Sequence, residues 1–160
     1  NILMHKQQLS IMIVGGPNQR TDFHVEEGGE FFFQIKGQMM LPTVQRGRRE
    51  DVIIPEGHIF ILPPRVPHSP QRKADTVGLV IERVREEGEM DCLRWYKDFD
   101  KCDEILFQRY FRCEDLGKDL VPVVEEYLRS EEYHSHQTTA TSCPTPELIQ
   151  DDTEIQVPAP

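Results

Sequence analysis

The chain has 160 residues, enough for one folded domain and few for two. Its 18 basic residues are outnumbered by 28 acidic ones, giving a net charge of −10. Since no basic cluster is long enough to follow a phosphate backbone, we expect no nucleic-acid partner. No apolar run approaches the ~20 residues that cross a bilayer, so we expect no membrane partner and a cytosolic location.

Short apolar runs separated by Gly and Pro turn signals fill the first half of the chain, as is typical of an all-β domain. Because no helix-period stretch interrupts them, we expect antiparallel strands closing into a small barrel or jelly roll. The predicted strands are 9–14, 31–35, 38–41, 51–54, 58–62 and 76–82.

Helical patterns follow the predicted barrel. A short helix is predicted at 103–111, and apolar residues at helical spacing predict a second at 120–128. Asp119 is the expected cap of the second helix, with Pro122 tolerable only in its first turn. We expect these helices to pack outside the barrel.

The two ends of the chain differ from its middle. Residues 134–160 are Ser, Thr, Pro and acids without periodicity, which predicts a disordered tail after a single domain at 1–133. The chain begins at Asn1 within sequence that already has the character of a fold. We therefore expect that an N-terminal segment is missing.

Two segments resemble the paired motifs of the cupin superfamily. The first motif is Gly, five residues, His-x-His, a few residues, Glu, six residues and Gly; it matches 16–37, with Asp22 in place of the first His. The second is Gly, five residues, Pro-x-Gly, two residues, His, three residues and Asn. It lines up with Gly57, Pro63, Arg65, His68 and Arg72. The resemblance implies a cupin jelly-roll barrel.

The motif positions supply His24, Glu30 and His68 as metal ligands. Two imidazoles and one carboxylate on one face of a metal, with open positions opposite, are typical of non-haem Fe(II) oxygenases. A coincidental structural trio is the alternative. Agreement of the two motif frames favours the metal.

Two arginines and a glutamate accompany these ligands. Arg20 precedes His24 by four residues and Arg72 follows His68 by four, so in extended chain each shares a face with its ligand. Glu82 closes the last predicted strand. Arg suits two-point binding of a planar carboxylate, which indicates an anionic substrate. The alternatives are an internal Arg72–Glu82 salt bridge and a solvated surface charge at Arg20.

Four segments, 15–18, 24–30, 61–72 and 76–82, closely resemble the 3-hydroxyanthranilate 3,4-dioxygenase family, and the similarity runs from about residue 3 to 133. The resemblance implies one Fe(II) per chain, held by the trio, with 3-hydroxyanthranilate and O2 as substrates. It implies ring opening to 2-amino-3-carboxymuconate semialdehyde, which cyclises to quinolinate, a precursor of NAD in the kynurenine pathway.

The resemblance also implies a role for each site residue. Glu30 is expected in catalysis and at the substrate as well as at the metal, Arg72 and Glu82 bind substrate, and Arg20 is catalytic near the O2 site. Bacterial members carry a second iron on paired cysteines. Because Cys92, Cys102, Cys113 and Cys143 form no such pair, we predict reduced thiols and no second cysteine-ligated iron.

Two other functions stay open at this point. One is an iron cupin dioxygenase acting on another small acid. The other is a truncated, non-catalytic metal-binding cupin, because animal members continue into a second cupin half. Bacterial and fungal members dimerise instead, so a homodimer is a further expectation.

Overall fold

The computed structural model describes residues 1–144, which form eleven strands and two helices. Most strands carry β-branched and aromatic residues in alternation, the pattern that suits a pleated, half-buried surface. In chain order the elements are β1 (Ile2–Lys6), β2 (Leu9–Gly15), β3 (Phe23–Val25), β4 (Glu30–Lys36), β5 (Met39–Gln45), β6 (Arg48–Ile54), β7 (Ile59–Leu62), β8 (Gln71–Arg72), β9 (Val77–Arg83), β10 (Asp91–Tyr96), β11 (Ile105–Phe111), α1 (Leu116–Arg129) and α2 (Glu131–Ser135).

The strands form two facing walls. One is a five-stranded antiparallel sheet in the order β1-β2-β9-β4-β7. The other combines the sheets β11-β10-β3 and β6-β5-β8, which are joined at His68 through bridges to His24 and Thr43. The prediction of an all-β jelly-roll barrel with short C-terminal helices is therefore confirmed.

The five-stranded sheet turns alternate residues toward the barrel interior. Cross-strand partners on its inner face are Glu30 with Glu82, Phe32 with Val80, and Gln34 with Gly78. Because side chains alternate along a strand, the polar pair Glu30–Glu82 and the apolar row behind it share one face. Part of the interior is thus polar and part is apolar core.

The opposite face of this sheet is apolar. Cross-strand registers place its members in two adjacent rows, and Ile59 and Ile61 at its edge are 61% and 65% exposed. We call this surface the outer apolar face. It consists of Ile11, Ile13, Phe31, Phe33, Ile59, Ile61, Leu79 and Ile81.

Helix α1 packs on the outside of the barrel, as predicted. Val123 and Tyr127 join a core cluster with Trp95 and Phe107 of the neighbouring strands, and the Tyr127 ring stacks on Trp95 with centroids 4.2 Å apart. Aromatic stacking of this kind adds to the burial of apolar area. No helix within residues 1–144 is long and apolar enough to cross a membrane.

The helix predicted at 103–111 is wrong, because the segment Ile105–Phe111 is strand β11. Six of its seven residues have antiparallel partners in β10, with Trp95 opposite Phe107 and Asp91 opposite Phe111. A short run rich in aromatic and β-branched residues fits a pleated surface, and this tertiary pairing decides its conformation.

The predicted second helix exists but begins earlier than expected. Helix α1 is capped by Asp115, whose carboxylate accepts a hydrogen bond from the Gly117 backbone N–H, so the cap predicted at Asp119 is wrong. Asp119 instead accepts from the backbone N–H groups of Glu114 and Asp115. Pro122 therefore lies inside the helix rather than in its first turn.

The segment assigned to a tail is described only in part. Helix α2 crosses the boundary predicted after residue 133, and Ser142 donates to the carboxylate of buried Glu132 at 2.6 Å. The remainder of the predicted tail, 145–160, lies outside the described residues.

Candidate metal centre and its pocket

A cavity of about 600 Å³ opens inside the barrel beside the polar part of the five-stranded sheet. Apolar side chains of β2, β4 and β9 form one wall, and the segment 112–117 lies on its rim with β1. All six predicted site residues line it: Arg20, His24, Glu30, His68, Arg72 and Glu82.

The two histidines are fixed to each other through their backbones. The His24 N–H donates to the His68 carbonyl at 2.8 Å, and the His68 N–H donates to the His24 carbonyl at 3.0 Å. This mutual exchange is the hydrogen-bonded pair of antiparallel neighbours, and the two imidazoles meet edge to face with ring centroids 5.4 Å apart. Strand pairing thus brings together residues 44 positions apart.

Glu30 faces both rings from β4. Its Oε1 lies 2.7 Å from His68 Nε2 and 4.0 Å from His24 Nδ1, and all three residues are buried. One ligand atom from each lies within 4.8 Å of the others. Oε1 has no hydrogen bond of good geometry among the described residues. Three donor atoms that converge without satisfying one another fit a metal ion.

Each histidine ring makes a hydrogen bond through the nitrogen that does not face Glu30. His24 Nε2 lies 2.6 Å from Asp91 Oδ2, and His68 Nδ1 lies 2.9 Å from the Val66 carbonyl oxygen. Both partners accept hydrogen bonds, so these ring nitrogens donate and the other nitrogen of each ring keeps its lone pair toward Glu30. Metal-binding histidines are oriented in this way by carboxylates and carbonyls.

The electrostatics of the trio keep the carboxylate charged. Burial alone raises the pKa of Glu30, but the adjacent His68 and His24, with Arg85 farther away, lower that pKa to about 2. Burial lowers the pKa of His68, and the carboxylate of Glu30 outweighs it and raises that pKa. A permanently ionised carboxylate is the form that binds a cation.

Arg72 is a buried cation with little compensation. It is 2% exposed, its Nη1 donates to the amide oxygen of Gln34 at 3.0 Å, and its Nε has no partner among the described residues. Burial lowers the pKa of Arg72 to about 10, against the attraction of Glu30. Gly78 makes room, since a Cβ there would lie 2.6 Å from Arg72 Nη1.

Glu82 pairs with a cation that sequence reasoning missed. Its Oε2 accepts from Arg85 Nη1, so the alternative of an Arg72–Glu82 salt bridge is not what this structure contains among its described residues. Burial and the neighbouring Glu30 raise the pKa of Glu82, although Arg85 opposes them. Its other oxygen, Oε1, receives no hydrogen bond from a donor in residues 1–144.

Arg20 stands at the pocket with its own carboxylate. Its Nε donates to Asp22 at 3.0 Å, and its Nη2 contacts the same carboxylate. The Arg20 side chain is 23% exposed, so it is neither a fully solvated surface charge nor a buried one. Asp22, in the place of the first motif histidine, thus holds an arginine at the cavity wall.

Three contributors to the site escaped sequence reasoning: Arg85, Asp91 and Gln34. Arg85 and Asp91 lie in the charged stretch after β9 and at the first position of β10, where the sequence resembles a solvated linker. Asp91 closely follows Glu86, Glu87 and Glu89, so no sequence signal sets it apart from that stretch. Gln34 alternates with Glu30 and Phe32 on the inner face, so the period of two could have placed it.

The sequence profile of the 3-hydroxyanthranilic acid dioxygenase family matches residues 1–128. The chain belongs to this family. The matched range contains the whole barrel, all six pocket residues and most of α1.

Curated relatives agree with this membership. Proteins named 3-hydroxyanthranilate 3,4-dioxygenase are similar to 135 residues, or 84%, of this chain. Identity is 52% for Rattus norvegicus, 53% for Xenopus laevis and 52% for Homo sapiens, and the aligned part covers 46%, 47% and 46% of those proteins. This member of the 3-hydroxyanthranilic acid dioxygenase family spans slightly less than half the length of these relatives.

Proposed function

We propose that the chain is an Fe(II)-dependent ring-opening dioxygenase. Its substrates are 3-hydroxyanthranilate and O2, and its product is 2-amino-3-carboxymuconate semialdehyde, which cyclises to quinolinate on the kynurenine route to NAD. Family membership and the relatives' shared name support this proposal. The observation that carries it is a buried, under-compensated arginine beside a two-His, one-carboxylate trio in one cavity.

The trio would hold one Fe(II) per chain. His24 and His68 would each offer the ring nitrogen that faces Glu30, and the ionised Glu30 would neutralise part of the metal charge. Iron in such a site leaves positions open at which an electron-rich aromatic ring and dioxygen can be activated together. The proposal includes no second iron bound by cysteines.

Arg72 would bind the substrate carboxylate. Its guanidinium lacks a charged hydrogen-bond partner among the described residues, and an incoming carboxylate supplies two-point hydrogen bonds where only the Gln34 amide is now available. Binding energy at this carboxylate, remote from the ring bond that breaks, orients the ring beside the trio. Phe32 and Val80 would contact its apolar face.

Glu82 and Arg20 would complete the pocket. The Oε1 atom of Glu82 would accept a hydrogen bond from the ring hydroxyl or amino group, and the adjacent Glu30 would contact the same substituents. Arg20, steadied by Asp22, would place positive charge near the O2 side, where negative charge develops during reduction.

The test is anaerobic loading with Fe(II), addition of 3-hydroxyanthranilate and air, and absorbance detection of the semialdehyde. We expect turnover in the unaltered chain and loss of iron and activity in His68→Ala. His58→Ala removes an exposed histidine and is the matched control, which should remain active. Full activity of His68→Ala would contradict the site assignment.

Two alternatives have separate outcomes in the same assay. Iron binding without oxygen consumption would favour a non-catalytic metal-binding cupin. Oxygen consumption with a different small aromatic acid would favour another dioxygenase of the same chemistry.

We also propose that the chain acts in the cytosol as a homodimer. The outer apolar face, with Ile59 and Ile61 exposed at its edge, is a surface that a second copy could cover, since exposed apolar patches mark interaction sites. Light scattering of the purified chain should give a mass near twice 18.7 kDa. A monomer mass at micromolar concentration would contradict the dimer.

A further inference from the structure

A series of side-chain contacts through Asp91 and Arg85 connects His24 of the metal trio to the carboxylate of Glu82. His24 Nε2 lies 2.6 Å from Asp91 Oδ2, and the same oxygen lies 2.6 Å from Arg85 Nη2. Arg85 Nε adds a second contact to Asp91 Oδ1 at 2.9 Å, and Arg85 Nη1 contacts Glu82. Asp91 is fully buried and the Arg85 side chain is 9% exposed.

The guanidinium of Arg85 also excludes a second metal site next to the trio. His24, Glu26 and Asp91 offer ligand atoms within 4.8 Å of one another and could in principle hold a second metal ion. Arg85 Nη2 contacts the carboxylates of both Glu26 and Asp91, so its positive charge already stands where such an ion would bind. The cluster is therefore an ion-pair network centred on one arginine.

We propose that Asp91 and Arg85 are positioning residues for the reaction of the proposed function, on which this inference rests. Asp91 fixes the ring of His24 with its Nε2–H inward to the protein and its Nδ1 lone pair toward Glu30. Arg85 fixes Asp91 through a two-point contact and fixes Glu82 with its third nitrogen. One planar guanidinium thereby sets the distance between a metal ligand and a substrate contact.

The geometry distinguishes this role from an ordinary stabilising ion pair. Only Arg has three nitrogens in a rigid plane; a lysine at this position keeps the charge on one nitrogen and cannot combine the two-point contact to Asp91 with the contact to Glu82. The role of Asp91 sets a separate requirement, because the ring N–H of His24 needs a hydrogen-bond acceptor. An asparagine at position 91 keeps an oxygen that can accept from the ring N–H, whereas an alanine does not.

The chain provides a matched control pair, Arg83 and Glu89, each two residues before its counterpart in the pair Arg85 and Asp91. Arg83 pairs with Glu89 through two nitrogens, as Arg85 does with Asp91, but the Arg83 side chain is 36% exposed and, by alternation along β9, points away from the face that carries Glu82. Arg83→Lys and Glu89→Gln therefore repeat the chemistry of Arg85→Lys and Asp91→Asn outside the site.

The first measurement uses the chelator-treated chain and needs no turnover. Long-range proton–nitrogen NMR spectra of the histidine rings should show His24 as the Nε2–H tautomer, and Asp91→Ala should shift or broaden those signals while Asp91→Asn retains much of the pattern. Unchanged His24 ring signals in both Asp91 variants would overturn the proposal. The asparagine variant covers the case in which the alanine variant fails to fold.

The second measurement is the Co(II) dissociation constant by equilibrium dialysis. Loss of a partner that orients a metal-binding histidine typically weakens metal binding about 10- to 100-fold, and we expect this range for Asp91→Ala. Arg85→Lys should raise KM for 3-hydroxyanthranilate more than it lowers kcat, because Glu82 loses its orientation. Glu89→Gln and Arg83→Lys should remain within about twofold of the unaltered chain, and equal effects at the two pairs would overturn the proposal.

The outcomes separate the two proposals. An unaltered chain that binds Co(II) but opens no ring after loading with Fe(II) contradicts the proposed function, while the tautomer and the Co(II) affinity of the Asp91 variants still decide the positioning role. A chain that turns over normally with Asp91→Ala contradicts the positioning role and leaves the proposed function intact.

Discussion

Two arginines with little solvent exposure, Arg72 and Arg85, line the same cavity as the trio, and their surroundings differ sharply. Arg85 contacts the carboxylates of Glu26, Glu82 and Asp91. Although burial opposes it, these neighbours raise the pKa of Arg85 far above its usual range. Arg72 has one amide partner, and burial lowers its pKa. The first guanidinium is satisfied by the protein itself, and the second is not.

The difference separates a structural charge from one held ready for a ligand. A buried charge without a partner opposes folding, so a protein retains one where binding or catalysis needs it. A buried charge with several partners is part of the frame, and its removal leaves those partners uncompensated. Arg72 is 2% exposed and the Arg85 side chain is 9% exposed, so both share residue type and low exposure, and their partners reveal the role.

The strongest test of this difference is the same substitution at both positions, Arg72 and Arg85. Arg85→Met should lower the free energy of unfolding by about 3–5 kcal/mol, because three buried carboxylates lose their cation. Arg72→Met should leave it within about 1 kcal/mol, because only an amide contact is lost. Urea unfolding at pH 7 measures both.

The effects on substrate binding should follow the opposite order, with the larger effect at Arg72. Arg72→Met removes the proposed carboxylate contact and should raise KM for 3-hydroxyanthranilate about 100-fold, as expected when a charged hydrogen-bond partner is deleted. Equal losses of stability at the two positions would contradict the distinction drawn between them.

A smaller change tests the space that Arg72 occupies. Gly78→Ala would place a Cβ 2.6 Å from Arg72 Nη1 and 2.9 Å from Gln34 Oε1, so the guanidinium must move. We expect KM to rise about tenfold, since a displacement of this size disturbs a two-point contact. Steady-state kinetics measures it. Gly15→Ala is the control, because its nearest contact would be an ordinary 3.9 Å and KM should not change.

The smallest expected effect belongs to the surface pair beside the site. Arg83→Gln removes a partly exposed contact with Glu89 and should change the free energy of unfolding by less than about 1 kcal/mol. Thermal or urea unfolding in low and high salt measures this. A loss as large as that of Arg85→Met would mean that arginine content near β9, rather than buried pairing, sets stability.

Much of the barrel follows from the sequence because its strands alternate and its turns carry Gly or Pro. The strands β2, β4 and β9 were predicted to within two residues, and β5 and β6 only over their apolar parts. The strands β3 and β8 have three and two residues, too few for a period to emerge. Strand β11 is ambiguous by sequence alone, and only its pairing with β10 determines it.

The site divides along a similar line. His24, Glu30 and His68 were predicted because motif spacing places them, and the structure brings them together within ligand distance. Asp91 and Arg85 could not be predicted, because their meaning depends on how β10 pairs with β3 behind the His24 ring. Sequence spacing identifies atoms that face a ligand, whereas the residues behind them are determined by tertiary contacts.

Replacements on the outer apolar face should affect the solubility of the chain more than its folding. Phe31 and Phe33 turn away from the packed interior, so replacing them changes the folding free energy less than replacing Phe32 between them. The same replacements should change how much chain stays dispersed at cellular concentrations, because the proposed dimer forms through that surface. Inherited variation on this face would therefore affect protein abundance before it affected the chemistry of the pocket.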